Sequence, residues 1–183
     1  MPTTPKIKPL YLIWCALFAT ITAVLSQIVV PIGPIPINLA TFSVLTVGAI
    51  LGKKMGAVSQ LVYVLLGAVG IPVFSMFRAG LGVLLGPTGG YIIGYIAGAW
   101  VVGLLAEKSS GKIHLLALAM LGGFATYMLL GTAWYMFLTK STLLQALLTC
   151  VVPFLLGDML KVAGAALLAH RLRPLVQDRM KAV

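Results

Sequence analysis

Long apolar runs occupy nearly the whole chain, and most of its few charged side chains sit at the ends of those runs. A bilayer crossing takes about 20 predominantly apolar residues, so a chain of 183 residues patterned this way has room for crossings and connections and little else. Apolar residues make up 61% of the sequence and charged residues 9%, where a soluble globular domain carries about 25%. The reading is an all-α integral membrane protein, a bundle of six transmembrane helices with structured outward loops, forming a single domain over residues 1–183. A catalytic domain outside the membrane is excluded. The net charge of +10 raises nucleic acid as a partner. The basic residues are spread over segment ends rather than clustered on one face, which argues against it.

The expected helices cover about 11–30, 38–51, 56–69, 91–105, 113–137 and 153–171, with outward loops at 31–37, 70–90 and 138–152. The first follows two lysines, as in a signal peptide, but is too long and lacks a small-residue cleavage site, so it is read as retained. Prolines in the run Pro31-Ile32-Gly33-Pro34-Ile35-Pro36 end it. The second and third are short for a crossing and are separated by Gly52-Lys53-Lys54. Region 70–90 holds Pro72, Arg78, Pro87 and many glycines, which predicts a structured loop folded over the bundle. The last apolar stretch is too long for one crossing, and Pro153 is best placed in a first helical turn. It is therefore divided into a short interfacial helix over 141–150 and the final span.

With the N-terminus cytoplasmic, that side collects Lys6, Lys8, Lys53, Lys54, Lys108, Lys112, Arg171, Arg173, Arg179 and Lys181, against Arg78 and Lys140 outside. Ten against two puts both termini on the cytoplasmic side of the membrane, among its lipids. Cys15 and Cys150 read as small buried hydrophobes, and His114 and His170 as interfacial residues, so no metal site is expected. Gly48 to Lys54 falls one residue short of a phosphate-binding loop and lacks its Ser or Thr. Any ATP-driven work must come from elsewhere.

Asp158 and Lys161 are the charged residues inside a predicted span, where each costs about 2.5 to 3.5 kcal/mol on insertion scales. Their i, i+3 spacing places them on one face. A mutual salt bridge and a ligand site both satisfy that cost. Asp158 lies about five residues into the last helix, roughly 8 Å, which favours a polar pocket open to the outside. Arg78, in the outward loop, is either a solvated residue or a partner for an anionic group. Thr88 and Gly89 precede Tyr91 at a helix N-terminus, where backbone N–H groups can receive polar ligand atoms. Ala16, Ala19 and Ala23 let another helix approach, from within the chain or from a partner subunit.

The loop Pro31 to Ile37, the turn Gly70-Ile71-Pro72-Val73-Phe74, the run Gly80-x-Gly82-x-Leu84-Leu85-Gly86-Pro87-Thr88-Gly89-Gly90-Tyr91, and Pro153-x4-Asp158-x2-Lys161 together resemble the BioY family. These are the biotin-binding S components of energy-coupling factor (ECF) transporters. The likeness extends from about residue 15 to 172. It implies six transmembrane helices, an outward biotin pocket, and work supplied by a transmembrane T subunit with two ATPase subunits. It also implies ligand contact by Asp158 and Lys161, with Phe74 and Tyr91 as candidates to cover biotin's apolar part. Biotin would be a transported ligand, with no cofactor and no catalytic residue. A sister S component for another vitamin is the alternative. A membrane-embedded enzyme using Asp158 as a base is disfavoured by the shortage of other polar groups in the spans.

Overall fold

The computed structural model describes residues 9–31 and 35–182. Lys6, Lys8 and the loop residues Ile32, Gly33 and Pro34 lie outside them. In chain order the elements are α1 (Pro9–Leu25), β1 (Val29–Val30), β2 (Ile37–Asn38), α2 (Ala40–Ala68), a 3-10 turn (Ser75–Phe77), α3 (Leu81–Leu85), α4 (Gly89–Glu107), α5 (Ile113–Thr139), α6 (Leu143–Cys150) and α7 (Val152–Ala182).

The described residues form seven α-helices, where six transmembrane helices and one short interfacial helix were expected, but they do not correspond one to one. Of the short ones, α6 answers to the interfacial helix expected over 141–150, and α3 falls unanticipated within the expected outward loop 70–90. The expected second and third segments belong to one element, α2, broken at Gly52, whose φ of 80° and ψ of 176° are far from helical. A straight helix would separate Ser43 from Gln60 by about 25 Å at 1.5 Å per residue. Instead Thr22 Oγ1 hydrogen-bonds the Ser43 hydroxyl at 2.7 Å and accepts from Gln60 Nε2 at 3.1 Å. The two arms of α2 therefore fold back on one another. Only a residue at ease with positive φ makes that reversal, which is why a glycine holds the position. The chain comes so close to itself there that a Cβ on Gly56 would stand 2.9 Å from Gly48 Cα.

Four helices, α2, α4, α5 and α7, are long and apolar enough to cross a membrane, and α1 is a shorter apolar helix. Expected to reach residue 30, α1 stops at Leu25. Just beyond it Ser26 Oγ donates to the Val73 carbonyl at 2.6 Å, and Gln27 Nε2 reaches the carbonyls of Val73 and Phe74. The chain then runs extended, Val29 opposite Asn38 and Val30 opposite Ile37 in a small antiparallel ribbon. At the other end α7 continues past the expected stop at 171 and carries Pro174 within it.

The core lies where α4 is sandwiched between α2 and α5. A Cβ on Gly123 would stand 2.8 Å from the Gly98 carbonyl oxygen, so α4 and α5 touch backbone to backbone. Tyr63, Tyr127, Leu45, Ile50 and Met120 fill the interior. Outward, Leu129, Leu156 and Leu160 are each more than 70% exposed. An apolar surface of that kind belongs against lipid tails.

Candidate functional site

One face of α7 carries Phe154, Asp158, Lys161, Ala165 and Ala169, all buried, at the three- and four-residue spacing of a helix. This face turns the charged pair into the bundle. Lys161 is 9% exposed and Asp158 1%. Nζ of Lys161 lies 2.8 Å from Asp158 Oδ1, 2.7 Å from the Asn38 carbonyl oxygen and 3.1 Å from Thr41 Oγ1. An ammonium has three N–H donors, so all three are engaged. The salt bridge anticipated as one reading of the pair is therefore present. It is incomplete on the acidic side, because Asp158 Oδ2 is buried and has no partner. The Tyr127 hydroxyl is in the same condition. Buried polar atoms are nearly always hydrogen-bonded, and two exceptions in one neighbourhood call for an explanation.

Lys161 lies at a cavity of about 40 Å³ that also takes in Asn38, Thr41, Tyr95, Tyr127 and Phe154. Its walls include Phe74, Arg78, Thr88 and Tyr91 of the expected set, and Ile35 and Pro36 from the Pro-rich loop. Five of the anticipated ligand residues thus line one space, with Asp158 bonded to Lys161 beside it. Aromatic surface dominates. Tyr95 and Tyr127 meet edge to face with centroids 5.8 Å apart, and Phe74 meets Tyr63 in the same way at 5.6 Å. Such faces suit a compact apolar ring system. The Tyr91 hydroxyl is held by Thr132 Oγ1 at 3.0 Å, leaving the ring to serve as wall.

The outward loop is fastened at several points. Phe74 and Arg78 exchange backbone hydrogen bonds at 3.0 and 3.2 Å, and Gln27 Oε1 accepts from the Phe77 amide at 2.9 Å. Trp134 Nε1 donates to the Gly86 carbonyl at 3.0 Å. The Arg78 side chain is exposed, and its one hydrogen-bond contact is with Met76 Sδ at 3.9 Å. It is a cation at the cavity wall without an acidic partner among the described residues.

Two expectations need correction. Gly89 does not present a free N–H to the cavity. Its amide donates to the Gly86 carbonyl at 3.0 Å, and its Cα is pressed against Leu84, where a Cβ would collide with the Leu84 carbonyl. The tight turn that leads into α4 consumes the donor. The three alanines of α1 do not form one free face either. Ala16 is exposed and Ala23 half-buried, but Ala19 is 1% exposed and faces inward with Cys15, Phe18 and Thr22. Positions 16 and 19 stand about 60° apart around the helix, and the edge of the buried side falls between them.

Asn38, Thr41, Tyr95 and Tyr127 were missed. Tyr95 follows Tyr91 by four residues, and Tyr127 is a polar-tipped residue in an apolar helix, so both left a trace in the sequence. Asn38 contributes its main-chain oxygen, which leaves none.

The chain is similar to known proteins over most of its length. The chain is 41% identical over 168 residues to the biotin transporter BioY of Thermotoga maritima, covering 92% of this chain and 98% of that one. It is 40% identical over 158 residues to the probable biotin transporter BioY of Pyrococcus horikoshii, covering 86% and 93%. The crystal structure of an S-component for biotin from an ECF-type ABC transporter superposes with a TM-score of 0.83 at 27% identity, covering 90% of both chains. Residues 2–178 match the BioY family profile, and on that extent of likeness the chain belongs to the BioY family.

Proposed function

We propose that this chain captures biotin on the outer face of a bacterial cytoplasmic membrane and carries it inward as the S component of an ECF transporter. The observation that supports this most directly is the unpartnered carboxylate oxygen of Asp158 beside an aromatic-walled cavity. Biotin offers two ureido N–H donors and a urea oxygen on an apolar bicycle, with a carboxylate at the end of a flexible chain. Asp158 Oδ2 accepts a ureido N–H, the Tyr127 hydroxyl donates to the urea oxygen, and the rings of Phe74, Tyr91 and Tyr95 cover the bicycle. Arg78, at the wall of the cavity, receives the carboxylate.

Ligand pockets usually enclose about 300 Å³ or more, so the cavity must widen to receive biotin. Widening requires the outward loop around Phe74 to give up the hydrogen bonds by which Ser26 and Gln27 hold it. Six crossings follow if each arm of α2 counts as one, with α1, α4, α5 and α7. An even number puts both termini on the basic, cytoplasmic side. Transport then requires a T subunit and two ATPase subunits, with the side of α1 that carries exposed Ala16 and half-buried Ala23 as the docking face. The test is equilibrium dialysis of the purified protein against radiolabelled biotin, with riboflavin and thiamine as competitors. Retention of either competitor in place of biotin would assign the chain to a sister S component.

A further inference from the structure

At the end of the bundle opposite the aromatic cavity, a second cavity of about 450 Å³ opens between the α4–α5 connection and α7. Glu107, Ser110, Gly111, His170, Arg173 and Gln177 line it, with Leu116 as an apolar floor. Arg173 is the residue that does not fit a purely structural account. It is 9% exposed, its Nη1 donates to Ser109 Oγ at 3.2 Å, and its Nε is buried without a partner. A guanidinium has five donors, and here a single one is satisfied within the protein. The nearby acid, Glu107, is already committed to Lys53, with Oε2 3.0 Å from Nζ and Oε1 accepting the Lys53 amide at 3.1 Å.

Two further features give the cavity the same polarity. Ser110 and Gly111 line the cavity just before α5, so the positive end of this 27-residue helix's dipole lies near it. His170 Nδ1 is 2.9 Å from the Gly111 carbonyl oxygen, which holds the ring at the wall. Lys53, Lys54, Lys108, Lys112, Arg171, Arg173 and Arg179 belong to the chain segments at this end of the bundle, against the acids Glu107 and Asp178 among the described residues. Ile113 and Leu175, 38% and 65% exposed, start the apolar surface beside it.

We infer that this cavity is a binding site for the phosphate group of an anionic phospholipid, with the Arg173 guanidinium as its principal ligand and the acyl chains lying along the surface begun by Ile113 and Leu175. A phosphodiester supplies acceptors for the free guanidinium donors of Arg173. A diacyl lipid, unlike free phosphate, also covers the neighbouring apolar side chains. The inference uses the membrane placement proposed above but not the biotin reading, since it concerns the other end of the molecule.

Native mass spectrometry of the detergent-purified protein, titrated with phosphatidylglycerol or phosphatidylcholine, tests it. The wild type should hold one phosphatidylglycerol about five- to tenfold more tightly than phosphatidylcholine. Arg173→Gln should abolish the preference. Should Arg173→Gln not fold, Ser110→Asp serves the same purpose. Ser110 is exposed with φ of 50°, a conformation Asp tolerates, and the new carboxylate would repel the phosphate. Equal affinity for the two lipids in the wild type, or a preference unchanged in the folded variants, would overturn the site. Thermal stabilisation by inorganic phosphate alone that matches phosphatidylglycerol would overturn the assignment to a lipid.

Discussion

Replacing Asp158 by Asn separates recognition from packing at the candidate site. The amide has the shape of the carboxylate but one acceptor oxygen in place of two. Lys161 Nζ, 2.8 Å from Oδ1, is a donor and fixes that oxygen on its own side. The amide NH2 must then occupy the place of Oδ2, the atom assigned to a ureido N–H, so that a donor faces a donor. Loss of a hydrogen bond to a charged group costs about 1.5 to 3 kcal/mol, or about 10- to 100-fold in affinity, with the misplaced donor adding to it. The same substitution leaves the Lys161 ammonium buried without its counterion, a change worth about 3 to 5 kcal/mol of stability. A second change divides these effects. Asp158→Asn combined with Lys161→Met has no buried charge, and its melting temperature should recover most of what each single variant loses, while biotin binding stays lost. Isothermal titration calorimetry and thermal melting on the same detergent samples read both quantities. If Asp158→Asn binds biotin within about threefold of the wild type, the carboxylate is a structural counterion and the recognition scheme is wrong.

Three other substitutions probe separate parts of the molecule. Arg78→Ala should weaken biotin about tenfold or more but leave biotinamide unaffected, because only the former presents a carboxylate to the guanidinium; equal losses in a competition assay would remove Arg78 from the site. Gly103→Ala would set a Cβ 2.2 Å from the Lys53 amide nitrogen and 2.4 Å from the Gly52 carbonyl carbon, atoms of backbone that cannot swing aside. It should cost about 1 to 3 kcal/mol, seen as a lowered melting temperature, and an unchanged melt would mean that α4 does not press on the α2 reversal. Ala16→Leu with Ala23→Leu should abolish uptake in cells that hold the T and ATPase subunits while leaving biotin binding intact; normal uptake would exclude this side of α1 as the docking face.

Much of the helical order could be read from the sequence because lipid imposes it. Length and polarity decide where a chain enters and leaves the bilayer, and Gly52-Lys53-Lys54 marks the reversal in α2 as a polar interruption between two short apolar arms. The end of α1 escaped because nothing local stops it. It stops where Ser26 and Gln27 find carbonyls nearly 50 residues away, a tertiary cause. The α3 helix escaped because five residues among glycines carry no periodicity to detect. At the site, Asp158 and Lys161 announced themselves by their cost in a membrane, whereas Thr41 and Asn38 came to light only through what they touch. Alanine spacing on α1 was ambiguous for a different reason. Small residues favour close approach equally on the inner and the outer face, and burial alone distinguishes Ala19 from Ala16.

The ammonium of Lys161 also ties three parts of the chain into one knot: the start of α2 through Thr41, the final helix through Asp158, and the Asn38 carbonyl at the foot of the Pro-rich loop. An outward displacement of β2 large enough to break the bond to Asn38 would free a charged donor beside the cavity, and its return would withdraw that donor again. Admission and recognition would then share a single proton-bearing group, so a residue with no spare donor in the closed form still helps decide when the door is shut.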